Sequence, residues 1–497
     1  MITRISLDEL NARVSQQRLP VAVHSGEVRE GSVFVVMPPS VPRGQEDGRP
    51  GGEVHLRQVL AAKPGAVLCR PEHLPLLEEL GADCAVAVTE NVRAALGALA
   101  RSYHGGKGYP DVVAITGTNG KTTETYLLEA LFRALGRKVG VVGTVSYRWP
   151  GHEEDAPLTT PGCLALHAML AQMRAAGADV AFMEVSSHAL DQERVAGIDF
   201  SAALLTNVTQ DHLDYHKTMD EYFAAKLRLF LPESRGGVPR DNKVCAVNAD
   251  DPYGPRVLAL RDDMVGYGLN EPPAAVRRHL RGRILSMSPA GTELSMSFEG
   301  RTWNLRSPLV GGFNVMNLLG AQALGLAMGL RPEDFAALAS FTGVSGRLER
   351  INGKAGLNVF VDYAHTPDAL IKAIDALRSA GFARVVTVFG CGGNRDRTKR
   401  PLMGEAVASL SDVAVLTSDN PRDEEPEAII ADVMPGLARC PEVVVEPDRR
   451  KALALAVGML SPDDALLVAG KGHETYQLIR GVKHPFSDQA ILREYLS

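Results

Sequence analysis

The chain has 497 residues, of which 45% are hydrophobic and 23% charged, with a formal net charge of −6. That is more chain than one ordinary core uses, so several domains are expected, and the composition excludes a disordered or collagen-like protein. The slight acidic excess disfavours bulk binding to nucleic acid or anionic membranes, while leaving room for a local cationic pocket.

Cys69, Cys84, Cys163, Cys245, Cys391 and Cys440 are scattered, without a CxxC pair or a ligand-like spacing with histidine. Free thiols in a reducing compartment are expected. Residues 1–20 lack the charged start and long apolar run of a signal peptide, and no stretch is long enough to span a bilayer. A cytoplasmic protein is expected, with a monomer as the default.

Short apolar runs alternate with longer helical patterns, as in a doubly wound, mostly parallel α/β sheet. Residues 38–52, rich in Pro, Gly and charge, predict an exposed loop, and Ser102–Tyr109 a linker. Val112–Ile115 reads as a buried strand. Lys121–Leu135 reads as a helix with Leu127, Leu128, Leu131 and Leu135 on one face. Further strands are predicted at 138–142, 180–183, 202–205, 244–247, 359–361, 385–389, 413–416 and 465–468. Residues 277–307 alternate in a β-like way (Leu285 and Met287, then Leu294, Met296 and Phe298), which predicts a small antiparallel insertion, and a break is expected near Gly343–Arg347. Polar, Gly-rich segments follow the strands, at 116–123, 184–188, 207–216, 362–365, 390–397, 418–422 and 470–474. Open α/β sheets bind ligands beyond the carboxyl ends of their strands, so these segments are the candidate site.

Gly117-Thr118-Asn119-Gly120-Lys121-Thr122-Thr123 stands between a predicted strand and a predicted helix. Small residues let the backbone curl around phosphates, and amides at the helix N-terminus face the anion. Lys121 offers charge to the terminal phosphates and Thr122 a hydroxyl to Mg²⁺, so ATP is the expected nucleotide. The strict pattern of such loops fails at Ile115, where glycine is usual. The alternative is a Gly-rich turn with a solvated lysine. Glu184, ending an apolar run, suits Mg²⁺, and by itself could as well be a turn carboxylate. His212 also follows a strand, although a lone histidine is more often a core or surface group. Lys226 reads as an ordinary helical lysine.

Together with Glu184–Leu190, Asn207–His216, Asp362–Pro367, Gly390–Asp396, Asp419–Arg422 and Gly470–Glu474, the phosphate loop resembles the Mur ligase family, which builds the peptide stem of bacterial peptidoglycan. The resemblance runs from about Asp111 to the C-terminus, and its last motifs are similar to those of the members that add the third residue of the stem. It implies a three-domain α/β fold. Residues 1–103 would form a smaller α/β domain for the uridine nucleotide, 104–343 a central ATPase with a P-loop-type doubly wound sheet, and 344–497 a Rossmann-like domain for the amino acid. It implies an ATP- and Mg²⁺-dependent amide ligase. The D-glutamyl carboxylate of UDP-N-acetylmuramoyl-L-alanyl-D-glutamate would become an acyl phosphate and then be joined to meso-2,6-diaminopimelate.

Residue roles follow from the same resemblance. Lys121, Glu184, His212 and Lys226 are the implied catalytic residues, and Thr122, Glu184 and a carbamylated Lys226 the implied Mg²⁺ ligands. The phosphate loop together with Asn317, Arg347, Asp362 and His365 would hold the nucleotide. Ser25, Thr159, Thr160, Ser186, Gln192 and Arg194 would hold the UDP substrate, and Arg395, Asp419, Asn420, Pro421, Arg422, Gly470 and Glu474 the amino acid. The chemistry of Arg422 agrees, because a guanidinium grips a distal carboxylate through two parallel hydrogen bonds. Lysine would bring an ammonium to it or leave it unpaired, and either penalises the wrong acceptor. Glu474 suits the distal ammonium. Read alone, Arg422 is also consistent with a turn arginine in a surface ion pair.

The N-terminal segment departs from the family pattern. Ser25 remains, Gly26 stands where an arginine is usual, and Asp47–His55 replaces the usual Asp-Gly-His region. Competing readings are a lysine- or ornithine-adding ligase, a folylpolyglutamate-type ligase sharing the central ATPase, and a nucleotide-binding regulator without catalysis.

Overall fold

The computed structural model describes residues 2–39, 51–238, 243–272, 276–353 and 356–497. Residues 40–50, with most of the expected loop at 38–52 and the start of Asp47–His55, lie outside the described residues. The chain forms two compact units, Met1–His279 with Gly320–Leu330, and Leu280–Leu319 with Arg331–Ser497.

The first unit contains two mostly parallel sheets. β1 (Thr3–Ile5), β2 (Val21–Ala22), β3 (Val33–Val35), β4 (Ala66–Cys69) and β5 (Ala85–Val88) pair in parallel in the order β1-β5-β4-β3-β2. Parallel strands need crossovers, here including the helix Leu7–Gln17, and the helix Val92–His104 leads from β5 to the second sheet. The latter helix takes up the start of the expected linker. Leu96, Leu99 and Ala100 bury its apolar face, and the helix gives way only at Gly105.

The second sheet carries the phosphate loop. Its strands are β6 (Asp111–Thr116), β7 (Val139–Val142), β8 (Ser146–Trp149), β9 (His152–Asp155), β10 (Val180–Glu184), β11 (Phe200–Leu205), β12 (Val244–Asn248) and β13 (Val265–Gly268). They run β9-β8-β7-β10-β6-β11-β12-β13, with β8 and β9 antiparallel and the others parallel. Because β6 lies between β10 and β11, the segments leaving those three strands open side by side at one edge. The helix Lys121–Ala134 fully buries Leu127, Leu128 and Leu131. It stops one residue short of the expected end: Gly136, at φ 78°, turns the chain, so Leu135 leaves the apolar face and is 37% exposed.

In the second unit β14 (Arg278–Ser288), β15 (Gly291–Phe298) and β16 (Arg301–Ser307) form the antiparallel insertion. Leu294 and Met296 are fully buried, but the β14 register slips between Ile284 and Ser286. The bulge turns Leu285 outward, to 43% exposure. β17 (Glu349–Ile351), β18 (Asn358–Asp362), β19 (Val385–Phe389), β20 (Val413–Leu416), β21 (Glu442–Val445) and β22 (Ala465–Ala469) run β17-β18-β22-β19-β20-β21, antiparallel only at β17. Val385, Phe389 and Leu467 enter the core on one face, and Val386, Val388, Leu466 and Val468 the core on the other. Burial on both faces is why these strands read as unbroken apolar runs. β23 (Tyr476–Ile479) and β24 (Val482–Pro485) form a separate hairpin.

The helix Arg449–Gly458 is capped by Asp448, whose side chain accepts from Arg450 N at 2.9 Å and Lys451 N at 3.3 Å. Asp448→Ala is expected to cost about 1 kcal/mol, read as a lower urea midpoint at constant slope. At the first residue of that helix, Arg449 pairs with Asp488 at 2.7 Å, both side chains fully buried, and donates to Ala469 O at 2.9 Å. This ties the carboxyl end of β22 to the C-terminal helix Asp488–Tyr495. All six cysteines are free, and no helix among the described residues is long and apolar enough to cross a membrane.

Candidate active site

The phosphate loop is pinned by the segment that leaves β11. Thr118 N donates to Asn207 O at 2.8 Å, Asn119 N to Asn207 Oδ1 at 3.0 Å, and Thr206 Oγ1 to Asn119 O at 2.6 Å. Thr118 Oγ1 meets Tyr222 OH at 3.0 Å. Gly117 is required: at φ 150° a Cβ there would lie 1.9 Å from Thr206 Oγ1. Lys121 Nζ reaches back over the loop to Gly117 O at 3.0 Å and Thr118 O at 2.8 Å. Gly120 leads into the helix at φ 89°, and Thr122 and Thr123 are buried in its first turn.

Glu184, 1% exposed at the end of β10, is held from two sides. Thr122 Oγ1 donates to its Oε2 at 3.1 Å, and Thr144 binds it twice at 2.9 Å, through N to Oε1 and through Oγ1 to Oε2. A carboxylate and a hydroxyl of the phosphate-loop helix are thus side by side, as a shared Mg²⁺ ion needs. Lys226, in the helix Met219–Leu227, is 2% exposed and donates to Gly117 O at 2.8 Å. Burial, and then the charge of Lys121, push its pKa well below 10.5, against a smaller opposing effect of Asp211. The amine under the phosphate loop therefore gives up its proton more readily than a free lysine does. His212, at φ 53°, is half exposed and 3.5 Å from Asp211. Burial lowers its pKa, Asp211 opposes, and Lys121 and Lys226 lower it further. His188, whose ring centroid is 4.8 Å from that of His212, is pushed down to about 4, chiefly by burial.

The residues expected at the UDP substrate converge on one another. Thr160 Oγ1 donates to Glu184 O at 2.8 Å and accepts from Ser186 N at 3.1 Å. Arg194 donates to Thr160 O at 3.0 Å and to Gln192 Oε1 at 2.8 Å, and Thr159 meets Thr144 at 3.1 Å. Ser25 lies apart from them, half-buried in the turn Ser25–Glu27. A Cβ at Gly26 would touch nothing, so the missing arginine reflects no lack of space.

In the second unit, Asp362 accepts from Leu348 N and Ala364 N, both at 2.7 Å. Burial raises its carboxyl pKa, partly offset by Arg347. Asn317 is buried and donates to Asn314 at 3.4 Å. His365 is exposed, its ring 2.8 Å from Tyr363 O. Asp419 and Asn420 are buried at the end of β20, Asn420 donating to Glu474 Oε2 at 2.9 Å. Gly470 is needed there, because a Cβ would lie 2.5 Å from Asp419 Oδ2. Arg422, after Pro421, donates to Gly393 O at 2.7 Å. Arg395 is exposed, and its Cγ and the Arg422 guanidinium stand 3.7 and 2.9 Å from the point a Cβ on Gly392 would occupy.

Comparison with known proteins agrees with this geometry. The Mur ligase middle domain matches residues 115–325, and the Mur ligase glutamate ligase domain matches residues 346–472. A UDP-N-acetylmuramoyl-L-alanyl-D-glutamate–2,6-diaminopimelate ligase from Lawsonia intracellularis is 50% identical, covering 100% of this chain and 99% of its own. The chain belongs to the Mur ligase family. A protein of the same description from Synechococcus elongatus is 42% identical over 89% of each chain. A solved structure of a ligase of that description superposes with a TM-score of 0.69 at 31% identity, covering 96% of this chain and 94% of the other. The three-domain α/β architecture is that of the Mur ligases.

Several residues of this Mur ligase site carry no sequence signal of their own. Thr144, which fixes Glu184, follows an ordinary strand end. Tyr222 looks like one more apolar helix residue. Lys471 and Gln477 bind the Asp419–Arg422 loop, and only Lys471 stood inside a recognisable motif.

Proposed function

We propose that this Mur ligase joins meso-2,6-diaminopimelate to UDP-N-acetylmuramoyl-L-alanyl-D-glutamate at the expense of ATP, as a monomer in the cytoplasm. The observation that carries the reaction type is the Glu184 carboxylate 3.1 Å from the Thr122 hydroxyl at the mouth of the phosphate loop. Residues 1–103 are read as the uridine-nucleotide domain, 104–343 as the ATPase and 344–497 as the acceptor domain. The acceptor follows from the relatives' description and from the presence of a guanidinium, Arg422, and a carboxylate, Glu474, in the loops that follow β20 and β22.

The chemistry brings two anions together, so charge neutralisation governs the rate. Lys121 faces the terminal phosphates. Mg²⁺ is ordinarily held by one or two carboxylates plus substrate phosphates, and would supply further positive charge at Thr122, Glu184 and Lys226. The neutral form of the Lys226 amine attacks CO₂; an N–C bond forms as one C=O π bond opens, a proton leaves to solvent, and the amine becomes a carbamate anion. Thr159, Thr160, Ser186, Gln192 and Arg194 orient the D-glutamyl carboxylate for attack on the γ-phosphate, whose bond to the bridging oxygen breaks as ADP leaves. The neutral amine of the acceptor then attacks the acyl carbon, phosphate leaves, and the nitrogen loses a proton.

Phosphate release is measured with ATP, Mg²⁺ and the UDP-dipeptide, offering meso-diaminopimelate, L-lysine and L-ornithine in turn. Turnover with diaminopimelate alone is expected; preference for lysine or ornithine overturns the acceptor assignment. Arg422→Ala is expected to raise the KM for diaminopimelate roughly ten- to a hundredfold, the worth of charged hydrogen bonds. It should leave the KM for ATP unchanged.

A further inference from the structure

Lys471 has no role in the reaction described above, yet its side chain is wholly buried. Its ammonium donates to Asn420 Oδ1 at 3.1 Å and Glu474 Oε2 at 3.0 Å, and stands 3.9 Å from Asp419 Oδ1. A buried ammonium is costly unless acceptors surround it. Here the acceptors come from two loops, those that follow β20 and β22. Asn420 closes the ring. Its Nδ2 donates to the same Glu474 Oε2, and its Oδ1 also accepts from Leu478 N at 2.9 Å. Glu474 is thus held through one oxygen by two donors, and Oε1 carries neither of these bonds.

The same lattice reaches Arg422. The hairpin that supplies Leu478 binds the Arg422 backbone on both sides, Arg422 N donating to Leu478 O at 3.0 Å and Arg480 N to Arg422 O at 2.7 Å. Gln477 Nε2 adds a bond to Asp419 O at 2.7 Å. Arg422 is held at φ 53°, a left-handed conformation that a side-chain-bearing residue adopts only where its surroundings impose it. Asn420 and the hairpin therefore couple the carboxylate of Glu474 to the backbone that carries the Arg422 side chain, and Lys471 is the buried charge at the centre.

We propose that Lys471 is a specificity-determining positioning residue for the acceptor. Through Glu474 and Asn420 it keeps a carboxylate and a guanidinium at a set separation, matching an amino acid whose distal end carries both an ammonium and a carboxylate. Without it, Glu474 is free to turn to Arg422, and the two charges neutralise each other instead of the ligand. The inference rests on the acceptor reading given above.

The test is steady-state phosphate release by wild type, Lys471→Met and Lys471→Arg, with the acceptor varied at saturating ATP and UDP-dipeptide. Lys471→Met should raise the KM for meso-diaminopimelate about tenfold or more. Its preference for diaminopimelate over L-lysine should shrink by a similar factor, while the KM for ATP and for the UDP-dipeptide stay unchanged. Lys471→Arg, which keeps the charge, should recover part of the loss. In a Glu474→Gln background Lys471→Met should add less than about twofold, because its effect runs through Glu474. Lys471→Gln, which keeps a donor, gives the same comparison if the methionine variant does not fold. An unaltered KM for diaminopimelate, a common rise in all three KM values without rescue by arginine, or full additivity with Glu474→Gln overturns the proposal. A wild type that prefers another amino acid refutes the acceptor reading and the matched charges with it. A wild type that prefers diaminopimelate, beside a Lys471→Met variant with the same preference, refutes the role of Lys471 alone.

Discussion

Lys226→Met is expected to cut phosphate release by about 10²-fold or more, while the protein keeps its fold and its unfolding transition. Methionine fills nearly the same volume, so the packing around Tyr222 and Gly117 survives. What disappears is a nitrogen that is buried and 2.8 Å from Gly117 O. That nitrogen is suited to carbamylation because burial and Lys121 both disfavour its protonated form. With ¹³C-bicarbonate, wild type should show a carbamate resonance that Lys226→Met lacks. CO₂-depleted enzyme should lose activity and regain it with bicarbonate. Wild-type rates in the methionine variant would remove Lys226 from the mechanism. Stability gives an independent reading. Unmodified Lys226 has a folded pKa below 10.5, so between that depressed value and 10.5 the unfolded chain binds the extra proton. The contribution of Lys226 therefore favours folding increasingly as pH rises through that window, and Lys226→Met should flatten the rise.

Glu184→Gln should lower kcat by about 10²-fold or more and raise the Mg²⁺ concentration needed for half-maximal rate. Glutamine keeps an oxygen for Thr144 N, and its NH2 can donate to the Thr122 and Thr144 hydroxyls, so the geometry at the end of β10 is largely retained while the charge is lost. Thr144→Val separates charge from placement. It removes the hydroxyl that holds Glu184 Oε2 at 2.9 Å but leaves the carboxylate, and a loss smaller than that of Glu184→Gln is expected. A Glu184→Gln enzyme within a few-fold of wild type, with unchanged Mg²⁺ dependence, would mean that Glu184 is a structural carboxylate ending a strand.

Much of this was legible in the sequence, for identifiable reasons. The parallel strands are buried on both faces, so Val112–Ile115 and Val385–Phe389 are continuous apolar runs that announce themselves locally. The phosphate loop is a local device, in which glycine, lysine and threonine act within one turn of a helix start. The helix end at Leu135 and the outward turn of Leu285 within its strand were not legible, because a helix end and a bulge depend on neighbouring turns and strands, not on periodicity. Asn420 was read as a substrate contact, and in the structure its side chain is engaged by Lys471, Glu474 and Leu478.

The sequence by itself determined the sheet class, the phosphate loop, the ordered motifs and hence the family. Only the tertiary structure decided what those motif residues touch. Thr144 and Glu184 are 40 positions apart, Lys226 and Gly117 are 109 apart, and Lys471 and Asn420 are 51 apart. Each pair meets because strands distant in sequence lie side by side, or one strand apart, in a parallel sheet and deliver their following segments to one edge. The lowered pKa of Lys226 is tertiary in the same sense: an amine holds its proton less readily through lost water and a nearby cation, and neither is present until the chain has folded.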